Sequence, residues 1–268
     1  MCSSDLRLQF TELHGQLKAV QIPVEELPKA LDNEMMFDGS SIRGYKRIEQ
    51  SDMYFHPDPS TFQVIPWLSG ETGNVARIIC DVADPDGTPF AGDPRVALKR
   101  VLADARKMGY DMNVGPEAEF FVFDHDAEGN PAVNPHDRAG YFDVGPVDKG
   151  VELRRAMDDM LLSMGFHLEA SHHEVAIGQH EIDFRHATAL ECADMLITFR
   201  YVIRSVAAQL GLHATFMPKP IYGENGSGMH CNMSLAKSGK NVFFDPKGEE
   251  QRSEEHTSEL QSLAYLVC

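Results

Sequence analysis

"GPEAEFFVF" (residues 115–123) sets two glutamates, Glu117 and Glu119, into an otherwise apolar run. Apolar and aromatic residues over this length predict a β-strand. Strand neighbours two apart share a face, so both carboxylates are aimed at one place. Burying unpaired carboxylates is costly, and like charges side by side raise each other's pKa. The strand therefore has either a solvated acidic face or a cation held against it.

Further strand segments carry the same kind of residue. "FHLEASHHEV", "HEIDFR" and "GMHCNMSLA" set His172, His173, Glu174, Glu181, Asp183 and His230 among apolar neighbours. Each acid alone also reads as an ordinary residue on a wetted strand face. Four such segments together leave a shared cation site and four separately wetted faces equally open; for a cation, hard oxygen donors with an occasional imidazole suit Mg²⁺ or Mn²⁺ rather than zinc. "ENGSGMHCN" adds a glycine-rich turn running into a strand, where backbone approaches a ligand closely. It fits neither a P-loop nor a dinucleotide fingerprint.

Around this acidic set, three segments have helical periodicity: residues 94–109, 150–165 and 193–211. The first opens on Pro94 and ends at Gly109, as helices do. In the second, Leu153, Ala156, Met157, Met160, Leu161 and Met164 form an apolar stripe expected to be core. "HATFMPKP" and "NVFFD" add strand candidates. Strands outnumber helices and no βαβ alternation dominates, which predicts an α+β fold.

Upstream, "LRLQFTELHGQLKAVQIP" predicts two strands around a His-Gly turn, and "VEELPKALDN" a short helix. "MFDGSSIRGYKRIEQSDMYFHPD" is rich in Gly, Ser and Asp and reads mostly as loop. "TFQVIPW" and "VARIICDV" read as strands. The turn-rich "DPDGTPFAGDP" (84–94) marks a boundary, dividing residues 7–90 from 91–251.

The 268-residue chain carries a formal charge of −17, which argues against nucleic-acid partners. No apolar run approaches membrane-spanning length, and the N-terminus lacks a secretory layout. With no CxxC pair, the cysteines argue against zinc or dithiol chemistry; the expected location is cytoplasmic. The two ends break the pattern. "RSEEHT" (252–257) and "MCSSDL" (1–6) are translations of one sequencing-adapter element read on opposite strands. Residues 1–6 and 252–268 are thus expected to be foreign, and the chain to be a fragment of a longer protein.

"MFDGSSIRGYKRIEQSDM", "GPEAEFF", "ASHHEVAIGQHEIDF", "HATFMPKP" and "NGSGMHCNMSL" resemble, in order, the signature and active-site segments of class I glutamine synthetases. The short spacing between Glu174 and Glu181 resembles the shorter bacterial subtype. The resemblance implies a small N-terminal β-grasp-like domain and a partial catalytic domain with a curved antiparallel sheet and helices. It implies ligation of ammonia to glutamate through a γ-glutamyl phosphate, driven by ATP. It further implies two Mg²⁺ or Mn²⁺ ions: one held by Glu119, Glu174 and Glu181, the other by Glu117 and His230. By the same resemblance Asn225 and Gly226 hold glutamate. Asp38, with Ser41 beside it, binds ammonium and favours its deprotonation, and Glu169 and Ser234 contact nucleotide. Asp38 also reads as a simple turn cap. His172 and His173 read as supporting rather than ligating residues. His186 stands where an aromatic stacking residue is expected. The implied assembly is a homo-oligomeric ring with each site between subunits. The last ligand of the second ion and the phosphate-neutralising arginines are expected beyond the break, so the chain as written is expected to be inactive. A ligase for a larger amine and a non-catalytic assembly or regulatory relative are the alternatives.

Overall fold

The computed structural model describes residues 5–71 and 73–247. The chain runs β1 (Asp5–Thr11), β2 (Leu17–Pro23), α1 (Leu27–Leu31), β3 (Met36–Asp38), β4 (Asp52–Val64) and β5 (Val75–Ala83). It continues with α2 (Pro94–Lys107), β6 (Asp111–His125), β7 (Pro131–Pro135), α3 (Val151–Ser163), β8 (Leu168–His173) and β9 (Gln179–Phe184). Last come β10 (Ala187–Thr188), α4 (Ala189–Gln209), β11 (Leu212–Thr215), β12 (Met229–Lys237) and β13 (Lys240–Asn241). The first five strands form one sheet in the order β2-β1-β5-β4-β3, antiparallel except for the β1–β5 pair. The other eight form a second, antiparallel sheet around β6. The fold is α+β.

β6 organises the second sheet because its two faces differ. Ala118, Phe120 and Val122 point into the main core, against Leu153, Met157 and Leu161 of α3 and Phe199, Val202 and Ile203 of α4. Each large apolar side chain removed from water here stabilises the fold by roughly 2–3 kcal/mol. The other face carries Glu117 and Glu119, then Phe121 and Phe123, which form a smaller cluster with Ala176. The Met and Leu stripe of α3 is core, as its spacing predicts.

β4 begins nine residues before the expected strand "TFQVIPW" and ends at Val64. Met53 and Phe55 alternate inward from Asp52 onward, while Pro57 and Pro59 give the segment the look of a loop. Those prolines are tolerated because β3 pairs only as far as Tyr54, leaving the N–H side beyond it free. "HATFMPKP" is strand only to Thr215, and "NVFFD" only at Asn241. Asp5 and Leu6, set aside as foreign by the sequence, complete β1, and Leu6 is buried in the first core. The expected foreign segments 1–4 and 252–268 lie outside the described residues.

One polar cluster ties the two sheets together. Asp93 caps α2, accepting from the Arg95 and Val82 N–H groups at 2.8 Å each. Arg95 then forks to Asp81 of β5 (2.6 Å), Asp58 of β4 (2.7 Å) and Asp194 of α4 (2.9 Å). Burial alone would lower the Arg95 pKa, but hydrogen bonds from its guanidinium to Asp194, Asp58 and Asp81 outweigh it and raise it.

Candidate metal centre

Register decides which carboxylates meet. β6 lies between β12 and β9, and directly opposed residues of antiparallel strands share a face. His230 stands opposite Glu117, Glu181 opposite Glu119, and His172 of β8 opposite Glu181. Four strands thus lay a continuous row of acids and imidazoles on the sheet face turned away from α3 and α4.

On this face two groups of three converge closely enough to hold an ion; a third, Asp137, His173 and His180, is fully buried behind it. Glu117, Glu181 and His230 form one; His172, Glu174 and Glu181 form the other. In each group the donor atoms lie within 4.8 Å of one another. Glu181 belongs to both. His230 Nδ1 is 3.3 Å from Glu117, and His172 spans Glu174 and Glu181 at 3.6 and 3.5 Å. Glu174 and Glu181 are buried, whereas His230 is exposed. The carboxylates push one another up. Burial, then Asp183 and Glu174, raise the Glu181 pKa to about 8. Burial also raises Glu119, with Glu174 adding to it. Asp183, two residues along β9 on the same face, has Oδ1 buried without a hydrogen-bond partner. This donor set, of hard oxygens with imidazole and an orphaned carboxylate oxygen, fits a hard divalent cation.

The glycine-rich turn is fastened to the same face. The Gly228 N–H donates to Glu119 Oε2 at 2.9 Å. The Gln179 amide bridges Glu119 and the Gly226 carbonyl. A Cβ on Gly226 would stand 2.5 Å from the Pro218 carbonyl oxygen, so this position requires glycine for close approach. Gly226→Ala is expected to cost roughly 1–3 kcal/mol by overpacking. It should also weaken Mn²⁺ binding through the displaced Gln179, whereas Gly70→Ala, facing open space, should do neither. Thermal melts and Mn²⁺ titrations of the two variants check this.

The remaining predicted residues are spread more widely. Asn225 is exposed beside Gly226. Ser234 lies on the His230 face of β12, opposite Asn113. Glu169 is exposed, 3.7 Å from Arg185. Asp38 and Ser41 lie in the other sheet's domain, where Asp38 caps a turn by accepting from the Ser40 N–H and hydroxyl at 2.8 and 2.6 Å. Among the described residues no hydrogen bond or ion pair links Asp38 to the acidic row. The Ser40 hydroxyl and N–H hold the Asp38 carboxyl below its ordinary pKa.

The two histidines divide. His173 is fully buried, bonded to Asp137 at 2.8 Å and to the Glu174 carbonyl at 2.7 Å, a supporting role. His172 faces the acids. His186 lies over Gly115, whose added Cβ would meet it at 3.2 Å. Sequence reading missed Gln179 and Asn232, the latter donating to Glu117 at 2.6 Å. Alternation held the clue, since each stands two positions from a named ligand.

Two family models match this chain: the glutamine synthetase β-grasp domain over residues 4–85 and the glutamine synthetase catalytic domain over residues 91–260. The chain belongs to the glutamine synthetase family. A glutamine synthetase of Staphylococcus epidermidis is 56% identical over 247 residues, covering 92% of this chain and 55% of that protein. The chain spans about half the length of the curated glutamine synthetases it matches. The Plasmodium falciparum glutamine synthetase superposes with a TM-score of 0.84 at 28% identity, covering 94% of this chain and 54% of that one. GmaS in complex with ADP superposes at 0.79 with 29% identity, covering 93% and 57%. The β-grasp domain and curved sheet expected from the glutamine synthetase resemblance are both present.

Proposed function

We propose that this chain supplies the carboxylate-bearing part of an active site that ligates ammonia to glutamate with ATP, giving glutamine. The observation that carries this reading is the row His230, Glu117, Glu119, Glu181 and His172, set by register on one sheet face beside a glycine-rich turn. Glu119, Glu174 and Glu181 hold one cation, and Glu117 and His230 the second, with Glu181 also within reach of the second. Mg²⁺ or Mn²⁺ bound there neutralises charge on a transferring phosphoryl group. Asn225 and Gly226 receive glutamate, while Glu169 and Ser234 contact nucleotide; the fold's likeness to an ADP-bound protein supports a nucleotide. Asp38, kept ionised by its Ser40 hydrogen bonds and with Ser41 beside it, accepts a proton-bearing ammonium at a neighbouring subunit's site in a homo-oligomeric ring. Residues 7–90, with Asp5 and Leu6 completing the first strand, form the β-grasp unit and 91–251 the first part of the catalytic unit.

Joining residues 5–247 to the C-terminal half of the Staphylococcus epidermidis relative tests the activity. Glutamine should form only with glutamate, ammonium, ATP and Mg²⁺ together. Preference for a larger amine in a substrate panel would assign the sister reaction, and no product with any amine would refute the proposal.

Metal binding has its own pH signature. Glu181 is protonated below about pH 8 in the metal-free chain, and an ion must displace that proton. Mn²⁺ affinity should rise about tenfold per pH unit through neutrality and level off once Glu181 is ionised. Calorimetry in buffers of different ionisation enthalpy reads the released proton directly.

A further inference from the structure

Three arginines converge on the cleft between β1–β2 and α4, whose lining shares no residue with the acidic row. Arg7 and Gln9 alternate outward on β1 while Leu6, Leu8 and Phe10 enter the first core. On α4, Arg200, Tyr201 and Arg204 fall at helical spacing on the face turned toward that hairpin. Together with Gly15 they line a cavity of about 240 Å³. Arg7 donates to the Tyr201 hydroxyl at 3.1 Å and Arg200 to the Gly15 carbonyl at 3.2 Å. Arg200 and Arg204 both lie over the single Phe216 ring, at 5.6 and 5.5 Å.

Among the described residues, no carboxylate pairs with any of the three. That is unexpected in a chain of net charge −17 with acids in excess. Arg7 Nε and Arg200 Nε are buried without a hydrogen-bond partner. Burial, then the neighbouring Arg204, hold the Arg200 pKa below its ordinary value, as expected of positive charge packed together without a counter-ion. The two buried Nε–H groups show that contacts within the chain leave this guanidinium charge under-compensated, and an acceptor entering the cavity gains charge-assisted bonds from the guanidinium N–H groups that line it.

We infer that this cavity binds a small phosphate-class oxyanion, bridging the β-grasp sheet and helix α4. Guanidinium forks match the tetrahedral oxygens of phosphate in paired hydrogen bonds. The volume falls below that typical of pockets for drug-sized ligands, which favours a small anion over a whole nucleotide. The bound anion neutralises the Arg200–Arg204 repulsion and links Arg7 on one sheet's domain to α4 on the other's.

The test is thermal melting and calorimetry of the full chain with inorganic phosphate, at constant ionic strength against chloride and with EDTA present, so that no cation in the acidic row recruits phosphate. A saturable rise in melting temperature is expected. Glycerol phosphate in a parallel arm shows whether the site takes a phosphate ester as well as the free ion. Arg204→Gln, at an exposed position where folding should survive, should weaken binding about tenfold or more. Arg204→Lys should recover only part of it, because a point charge replaces the fork. Lys29→Gln, outside the cleft, should change nothing. A shift no larger than that with chloride, unchanged affinity in Arg204→Gln, or succinate binding as tightly as phosphate would each overturn the assignment.

Discussion

Glu181→Gln is expected to abolish tight Mn²⁺ binding at both groups while making the metal-free chain more stable. Glu181 is the one residue common to the two converging sets, so its loss removes a charged ligand from each. Supporting-residue losses around metal sites cost about 10–100-fold in affinity, and a direct ligand shared by two sites should exceed that range. Glu174→Gln removes a ligand from one set only and should spare the other. The stability effect has the opposite sign. A carboxyl whose pKa is raised from an ordinary 4.5 to about 8 binds its proton more tightly folded than unfolded. Its contribution is therefore full below the unfolded value and is lost as pH rises through the folded one. The metal-free wild type should lose stability between about pH 4.5 and 8, and Glu181→Gln should not follow it. At pH 8.5 the variant should be more stable by about 2 kcal/mol, a discounted fraction of the full shift. Equal melting temperatures of the two metal-free proteins at pH 5 and at pH 8.5 would contradict the proposed repulsion.

Arg95→Ala should be the most damaging substitution away from the acidic row. Asp58, Asp81 and Asp194 lie around a single buried guanidinium, with Lys99 assisting only at Asp81. Removing it leaves three carboxylates close together in a partly dry cluster, a loss of roughly 3–5 kcal/mol. The clamp ties β4 and β5 to α4, so the melt should also broaden or split as the two sheets uncouple. Arg95→Met removes the charge but retains most of the packing, and it should still lose most of the stability if charge pairing is the cause. Denaturant titration of both variants separates the two contributions.

The sequence made the faces legible and left the partners hidden. Two glutamates at a spacing of two in an apolar run were enough to aim both at one side of β6. Alternation likewise put Glu181 and Asp183 together, although the same rule went unused for Asn232 beside His230. Nothing in a single strand says which residue will stand opposite it, because register arises from pairing between segments far apart in the chain. The sharing of Glu181 between two groups, and the entry of His172 into one of them, became visible only with that register. The Gln179 bridge to Glu119 and Gly226 depends on a turn closing over the sheet. β4 was obscured for a different reason: its prolines mimic a loop, and their tolerance depends on how short the neighbouring strand is. The arginine cleft was the least visible, since Arg7 and Tyr201 meet across 194 positions.

The same long-range pairing has a kinetic consequence. Asn232 bonds Glu117 across 115 positions of chain, and the ligands come from four separate strands of one sheet. Loop closure over such distances is slow and precedes any reward from the contacts it makes. No partially built hairpin presents the full ligand set, so a cation gains its grip only after the central strands have zipped together. Mn²⁺ should leave the refolding rate nearly unchanged and slow unfolding instead, acting as a latch on the finished sheet rather than a seed for it.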